Sequence, residues 1–405
     1  MPRRYGQGEA LPIANFYATI GAVIDLYIKK INASLKSLLE DANRRYRLKR
    51  ISDLLFRYSK EFILRKGKRI RPLLFVLSYK GYTQRKSYSD QRLFASAASI
   101  ELLHDYMLIH DDVIDKSDVR RGKPTLHKMF DQAIELPDHQ KIGSQLAIVA
   151  GDIIFALAIE AFLSVDEDME RKEKALKKLV ETAAYTGAGE FIDVVFGHKT
   201  IESLSEKDIM LNYTLKTAKY TFECPLLMGA ILAGAKLEEL KKLSKLGVCA
   251  GQAFQIFDDF LDLFATRKVI GKPILTDLTE SKKTLLVFKA YNQLETKGKV
   301  RFKKILEKKD KTRSDLEDFR NLVIESGSYE YCLTKMALLQ ERALYLCQRL
   351  KMKPDMKKML ESVIARLSAS RMPLTFGWKP YQTCHPVTSA EVRHQISGGL
   401  RRIIC

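Results

Sequence analysis

Two apolar runs in this 405-residue chain carry three aspartates each, where a buried helix should carry none. The first reads LFASAASIELLHDYMLIHDDVID and ends at residue 115; the second reads GQAFQIFDDFLD and ends at residue 262. A helix turns about 100° per residue, so positions four apart share a face, about 6 Å apart along the axis. Asp111 and Asp115 therefore fall on one face, as do Asp258 and Asp262, with Asp112 and Asp259 one step round. Like charges at this spacing repel unless a counter-ion joins them. Burying them alone would raise their pKa values or cost several kcal/mol. One such cluster reads equally well as a solvated helix end. Two of them, each framed by apolar helix and each followed by a basic, glycine-containing loop, imply shared hard cations. Magnesium suits this pattern, because it takes oxygen ligands and is held by one or two carboxylates together with substrate phosphates.

Around these runs, apolar residues recur at spacings of three and four, and alternating strands with hairpin turns are scarce. With only 11 prolines in the chain, this predicts an all-α fold built on one large core. Helices are expected over about 14–65 (two of them), 90–115, 141–164, 169–197, 205–221, 222–235, 238–265 and 283–296, with a final set ending near Arg371. The stretch KSDVRRGKPTLHKMF after the first cluster reads as a polar loop, since Gly122 and Pro124 stop a helix. From Met372 the text holds three prolines, the only tryptophan and no helical period. A helical domain over 1–371 and a tail over 372–405 of unassigned role are expected. The run QLAIVAGDIIFALAIEAFL (145–163) is nearly long enough to cross a bilayer, but Asp152 and Glu160 point to a buried helix, so no transmembrane segment is expected. The first residues lack a hydrophobic signal core, and Cys405 is not placed for a prenylation box. Six scattered cysteines without a CxxC pair favour reduced thiols and a cytoplasmic location.

A formal charge of +20 suits anionic small molecules, nucleic acid or an anionic membrane surface alike. The densest basic run, RRYRLKR at 44–50, reads as the solvated face of an amphipathic helix. No zinc-finger or RNP pattern accompanies it, so no nucleic-acid partner is expected. Other cations cluster by motif: Lys68 and Arg71 in GKRIRP, Arg120 and Arg121 in RRGKPT, Lys216 in LKTA, Lys272 in GKP, and Lys282 in ESKKT. His104 lies roughly 10 Å before Asp111 on the stripe Glu101, His104, Leu108, Asp111, Asp115. Taken singly, each lysine is an ordinary surface charge and His104 an ordinary core histidine. Together they exceed what the carboxylates need and suffice for two anionic substrates.

In this order, GKRIRP, ELLHDYMLIHDDVID, RRGKPTLH, GEFIDVV, LKTA, GQAFQIFDDFLD and GKPILTDLTESKKT resemble the motifs of the trans-isoprenyl diphosphate synthases, the polyprenyl synthetase family. The likeness spans about residues 60–290. It implies an all-α bundle around a central cavity, usually a homodimer, that condenses isopentenyl diphosphate with an allylic diphosphate. The resemblance assigns metal binding to Asp111, Asp112, Asp115, Asp258, Asp259 and Asp262, with about three magnesium ions per site and manganese as an alternative. It places the allylic diphosphate near Arg120, Lys216, Lys272 and Lys282. Isopentenyl diphosphate falls to Gly67, Lys68, Arg71, His104 and Arg121, and Thr217 and Gln255 lie near the carbocation.

Some positions depart from the family pattern. Glu190 stands where a glutamine is usual, three residues before Asp193, which carries over; the extra carboxylate could join the metal shell or simply tune it. Ser281 replaces a usual glycine before Lys282, and for that change little consequence is expected. Bulky residues four and five positions before the first aspartate floor the product tunnel in this family. Tyr106 and Met107 occupy them here, which resembles short-chain enzymes making geranylgeranyl or, next, farnesyl diphosphate. Tyr106 reads equally as a core aromatic. Two rivals stay open: a class I terpene cyclase, which needs no second diphosphate site and so no use for Lys68, Arg71, His104 and Arg121, and a non-catalytic regulatory subunit.

Overall fold

The computed structural model describes residues 10–264, 278, 280–308 and 310–366, with no side chains before residue 20. Lys272 and the expected 372–405 tail lie outside the described residues. Helices α1 (Ala10–Tyr46), α2 (Leu48–Ile51), α3 (Asp53–Ile63), α4 (Ile70–Tyr82) and α5 (Asp90–Ile114) come first. A two-strand ladder follows, β1 (Val119–Arg120) with β2 (Lys123–Pro124), and then α6 (Leu126–Ala133), α7 (Gly143–Phe162), α8 (Met169–His198) and α9 (Glu206–Tyr213). A π-helix over Thr214–Glu223 leads into α10 (Cys224–Leu232) and α11 (Leu237–Phe264). The last helices are α12 (Leu285–Gln293), α13 (Thr296–Glu307), α14 (Arg313–Glu325), α15 (Ser328–Gln348) and α16 (Pro354–Ala365). The fold is all-α, as the periodicity predicts.

Local chemistry sets the long helices. Ser89 caps α5 by accepting from the Arg92 amide at 3.3 Å, with Asp90 in the first turn and an alanine-rich body behind it. Ser205 and Asp208 form a capping box on α9. Two apolar clusters make the core. One joins α1, α4, α5, α7 and α10; the other joins α9, α12, α13 and α14. Helix α11 belongs to both, through Leu243, Leu246 and Ala250 at its start and Ile256, Phe260 and Leu263 at its end.

Three segments differ from expectation. The stretch read as a polar loop holds the β1–β2 ladder and α6. Helix α5 already stops at Asp115 and the left-handed Lys116, before Gly122 and Pro124, which instead shape a hairpin, and Leu126 restarts a helix. The boundary expected at 221/222 is no break: the chain passes through the π-helix into α10. Pro225 explains the widening. It cannot donate to the Thr221 carbonyl, and its ring would crowd that oxygen in a regular helix. Finally, α7 is only half buried. Ala147, Ala150, Ile154, Ala158 and Ala161 face the core, Ile148 and Val149 are 41% and 56% exposed, and the Asp152 side chain points outward. It is the one described helix long and apolar enough to cross a membrane.

Candidate active site

Helix α5 delivers Asp111 and Asp112 in its last turn and ends on Asp115, whose amide donates to the Asp111 carbonyl at 2.8 Å. Lys116 then turns left-handed (φ 52°), and the hairpin folds back. Its turn residues Arg121 (φ 55°) and Gly122 (φ 74°) are both left-handed, with Arg120 opposite Lys123. That is the primed two-residue turn, whose twist matches the strands; glycine enters it freely and arginine at some strain. The turn aims Arg120 at the aspartates, Nε to Asp112 at 2.6 Å and Nη2 to Asp111 at 2.9 Å.

Lys216, on the π-helix, completes this side. Its Nζ lies 2.7 Å from Asp193, 2.9 Å from Glu190 and 3.6 Å from Asp111. Lys282 donates to Asp115 at 2.9 Å and lies 2.7 Å from Glu280. Close seating makes these contacts possible. A Cβ on Gly189 would fall 2.5 Å from the Lys216 nitrogen, and one on Gly251 would fall 2.3 Å from the Ala218 Cα, so only glycine lets α8 and α11 grip the π-helix.

The same π-helix reaches the second cluster. Thr217 donates to Gln255 Oε1 at 2.5 Å, and Gln255 Nε2 donates to Asp259 Oδ1 at 2.9 Å. The Tyr213 hydroxyl donates to the other Asp259 oxygen and accepts from the Leu285 amide at 2.7 Å. Adjacent residues Lys216 and Thr217 thus link the two aspartate groups, Lys216 lying beside Asp111 and Thr217 reaching Asp259 through Gln255. Among the described residues, the carboxylates that converge within 4.8 Å are Asp111, Asp115 and Glu190. Asp112 is buried against Arg120, Asp259 and Asp262 are buried in α11, and Asp258 is half-buried.

Burial and repulsion leave their mark on the acids. Burial raises Asp112 to about 6 in spite of Arg120. It raises Glu190 to about 7 in spite of Lys216, with Asp111 adding to the effect. Asp115 is raised by burial and by Asp111. Burial alone would lower Lys216, but Asp111 and Asp193 outweigh it and hold the ammonium above its usual range. The buried Glu190 Oε1 accepts no hydrogen bond among the described residues. A hard-oxygen set with an unsatisfied member fits a divalent cation.

A separate basic group gathers around His104, about two turns earlier on α5, from α4, the hairpin and the loop before α4. Arg71 donates to the Tyr220 hydroxyl at 2.6 Å and to Thr221 at 2.9 Å, with its guanidinium 4.3 Å above the Tyr220 ring. Tyr220 in turn meets His104 Nδ1 at 3.1 Å. Burial, and then Arg71 and Arg121, push the His104 pKa well below 6.5, leaving a neutral imidazole. Gly67 packs beside Arg121, and Lys68 is exposed on the same loop. The structure therefore gathers Gly67, Arg71, His104 and Arg121 into one basic region.

Several contributors carry no signature in the sequence. Tyr213, Tyr220 and Phe155 act through tertiary contacts, and Tyr106 stacks on Phe155 of α7 at 5.0 Å and on His110 at 4.6 Å. Asp105 is fully buried, and neither of its oxygens accepts a hydrogen bond among the described residues. Burial and Glu101 raise its pKa well above 3.8, against Arg121, Arg69 and Arg71. A raised folded pKa stabilises below the unfolded value and forfeits that stability as pH rises. Asp105→Asn should therefore stabilise the protein at pH 7 by at least about 1 kcal/mol. The gain should shrink toward pH 4, as read by denaturant unfolding at a series of pH values. A gain that grew on acidification would refute the assignment.

The polyprenyl synthetase family model matches residues 52–323. A short chain isoprenyl diphosphate synthase of Methanocaldococcus jannaschii is 31% identical over 304 residues, which is 75% of this chain and 83% of that protein. A geranylgeranyl diphosphate synthase of Saccharolobus solfataricus is 31% identical over 272 residues, covering 66% and 76%. Among solved structures, geranylgeranyl pyrophosphate synthetase from Pyrococcus horikoshii Ot3 superposes with a TM-score of 0.72 at 29% identity, covering 87% of this chain and 99% of that one. With an aspartate-bearing α5 and α11 joined through one π-helix, and with these likenesses, the chain belongs to the polyprenyl synthetase family.

Proposed function

We propose that the chain is a magnesium-dependent prenyltransferase that joins isopentenyl diphosphate to an allylic diphosphate, giving a short-chain prenyl diphosphate, geranylgeranyl first and farnesyl next. The observation that carries this is the pairing of two charged regions along α5: a carboxylate set at Asp111, Asp115 and Glu190, and a basic set at Arg71, His104 and Arg121. A terpene cyclase has no use for the second.

Asp111, Asp115 and Glu190 would hold a divalent cation, with Asp258 and Asp262 contributing from α11. Bound there, the metal would supply Lewis-acid stabilisation of the leaving diphosphate. Arg120, Lys216 and Lys282 are cross-linked to carboxylates and stand ready to receive the allylic diphosphate; Lys272 joins them by resemblance. Their positive charge favours heterolysis of the allylic C–O bond, whose electron pair leaves with the diphosphate oxygen. Arg71, Arg121, Lys68 and the neutral His104 would orient isopentenyl diphosphate so that its alkene pair attacks the carbocation. Loss of one proton, to the departing pyrophosphate, completes the new alkene. The Thr217 hydroxyl and the Gln255 amide present oxygen near the cation, and the apolar walls of α5 and α10 exclude water.

Tyr106 and Phe155 would close the product tunnel where α5 meets α7. Tyr106→Ala and Phe155→Ala should each shift the product longer by at least one five-carbon unit, read by chromatography of dephosphorylated products. An unchanged distribution in both variants would place the floor elsewhere. The exposed Ile148 and Val149 on α7, with Phe191 (71% exposed) and Val194 on α8, support a homodimer through these helices. The half-buried α7 and the soluble family fold support a cytoplasmic location. The division at 371/372, about three ions per site and tolerance of manganese belong to the same reading. Product formation that requires both an allylic diphosphate and isopentenyl diphosphate tests it; equal yield without isopentenyl diphosphate would favour the cyclase.

A further inference from the structure

We propose that the basic surface from the end of α1 through α3 docks this protein on anionic phospholipid bilayers. Between residues 41 and 68 stand ten lysines and arginines against three acids. Two backbone breaks shape the surface: Arg47 is left-handed (φ 54°) between α1 and α2, and Ser52 is extended between α2 and α3. They turn α2 outward, and none of its residues is buried. Ile51 is 73% exposed and Tyr46 49%, set among the exposed Arg44, Arg47, Lys49 and Arg50. Beside α2 lies a cavity of about 690 Å³ whose rim carries Lys49, Arg57, Lys60, Lys66 and Lys123 with the acids Asp53 and Glu61, over an apolar floor of Phe56 and Leu64, and which reaches Arg65 and Arg121 at its inner end.

The local acids neutralise this surface only in part: Asp41 pairs with Arg44, Glu160 with Arg45 and Glu40 with Lys60. Asp53 reaches Lys49 and Arg57 only at 3.9 and 3.8 Å, and Glu61 is taken by Arg65 and Lys123. Arg47, Arg50 and Lys66 make no ion pair among the described residues. Phosphate-bearing anions suit such a surface. An aliphatic side chain held outward among cations further selects the interface of a bilayer, where Ile51 and Tyr46 enter the acyl boundary while the cations meet headgroup phosphates. A nucleic acid would use the charges and leave Ile51 in water. The inference rests on surface chemistry alone and stands apart from what the aspartate site makes.

Vesicle flotation of the full chain tests it. Binding is expected to vesicles of phosphatidylcholine with about one-third phosphatidylglycerol, not to phosphatidylcholine alone, and to fall off between about 0.1 and 0.5 M salt. R47Q/R50Q should weaken binding about 25-fold, at about five-fold per cation. Ile51→Ser should weaken it at least about five-fold with every charge kept. These side chains lie on the outer surface, so prenyl transfer in vesicle-free buffer and the thermal midpoint should match wild type, which separates lost docking from misfolding. Three results would overturn the assignment: flotation retained by R47Q/R50Q, capture of inorganic phosphate without capture of vesicles, or a shift of duplex DNA by protein that ignores vesicles.

Discussion

Asp111→Ala should lower turnover at least about 100-fold, the scale seen when one electrostatic stabiliser of a charged transition state is removed. Asp111 is where the two halves of the charge cluster meet. It accepts from Arg120 at 2.9 Å and lies 3.6 Å from Lys216, and its other neighbours in the converging set are Asp115 and Glu190. Removing it would take away one of the proposed metal ligands and free two cations to pair elsewhere. Asp258→Ala should fall comparably if, as proposed, it acts on the same diphosphate from α11. The measurement is steady-state kcat with both diphosphates present, together with manganese binding followed by electron paramagnetic resonance. The second readout is independent of turnover and should weaken in Asp111→Ala. Rates within a few fold of wild type in both variants would remove the clamp from the mechanism.

Glu101→Ala should destabilise the protein by about 3–5 kcal/mol, the cost of leaving one member of a buried ion pair alone. Arg69 and Glu101 are each 2% exposed and joined at 2.6 Å. Arg69 also donates to Asn32 at 2.9 Å and to the carbonyls of Ile63 and Arg65 at 3.1 and 2.8 Å. One buried guanidinium therefore ties α1, the end of α3 and α5 to the loop that presents Gly67 and Lys68. Loss of Glu101 leaves that charge without its anion, and both urea midpoint and affinity for isopentenyl diphosphate should drop. The double variant Arg69→Met/Glu101→Met should recover most of the stability, since an apolar pair removes the unpaired charge, yet not the affinity. A single-variant loss below about 1 kcal/mol would contradict the burial argument.

The sequence was most informative where local and tertiary preferences agree. Helix α5 was expected over 90–115 and spans Asp90–Ile114, because a serine cap, an acidic first turn and an alanine-rich body all act within the segment. The long α8 and α11 were legible for similar reasons. The π-helix was not, since it depends on Pro225 acting back on the preceding turns and on glycines from two other helices. The hairpin was hidden because its key turn residue is an arginine where asparagine or glycine would announce a primed turn. Ser281 was expected to matter little, but it is left-handed (φ 55°), the conformation that suits the glycine it replaces, and its hydroxyl donates to the Leu306 carbonyl at 3.1 Å.

Within the candidate site, the acids and bases were legible as residue types. Their pairing was not. Spacing along α5 sets Asp111 and Asp115 together, but nothing in it says that Glu190, eighty residues on, joins them in place of Asp112. Asp105 was equally invisible, because an aspartate beside a motif histidine gives no hint that it lacks a hydrogen-bond partner.

Arg120, the last residue of β1, and Arg121, the first residue of the two-residue turn, are neighbours, one facing the aspartates and the other facing Gly67. Their Cα atoms are about 3.8 Å apart across a single peptide plane. Whatever sets the orientation of that plane is felt by both guanidinium groups at once. The first diphosphate to arrive would fix the bend of the ribbon, and the second would meet a receptor already aligned. The two cosubstrates should therefore bind cooperatively, each tightening the other by the same factor, through a mechanical link no longer than one amide.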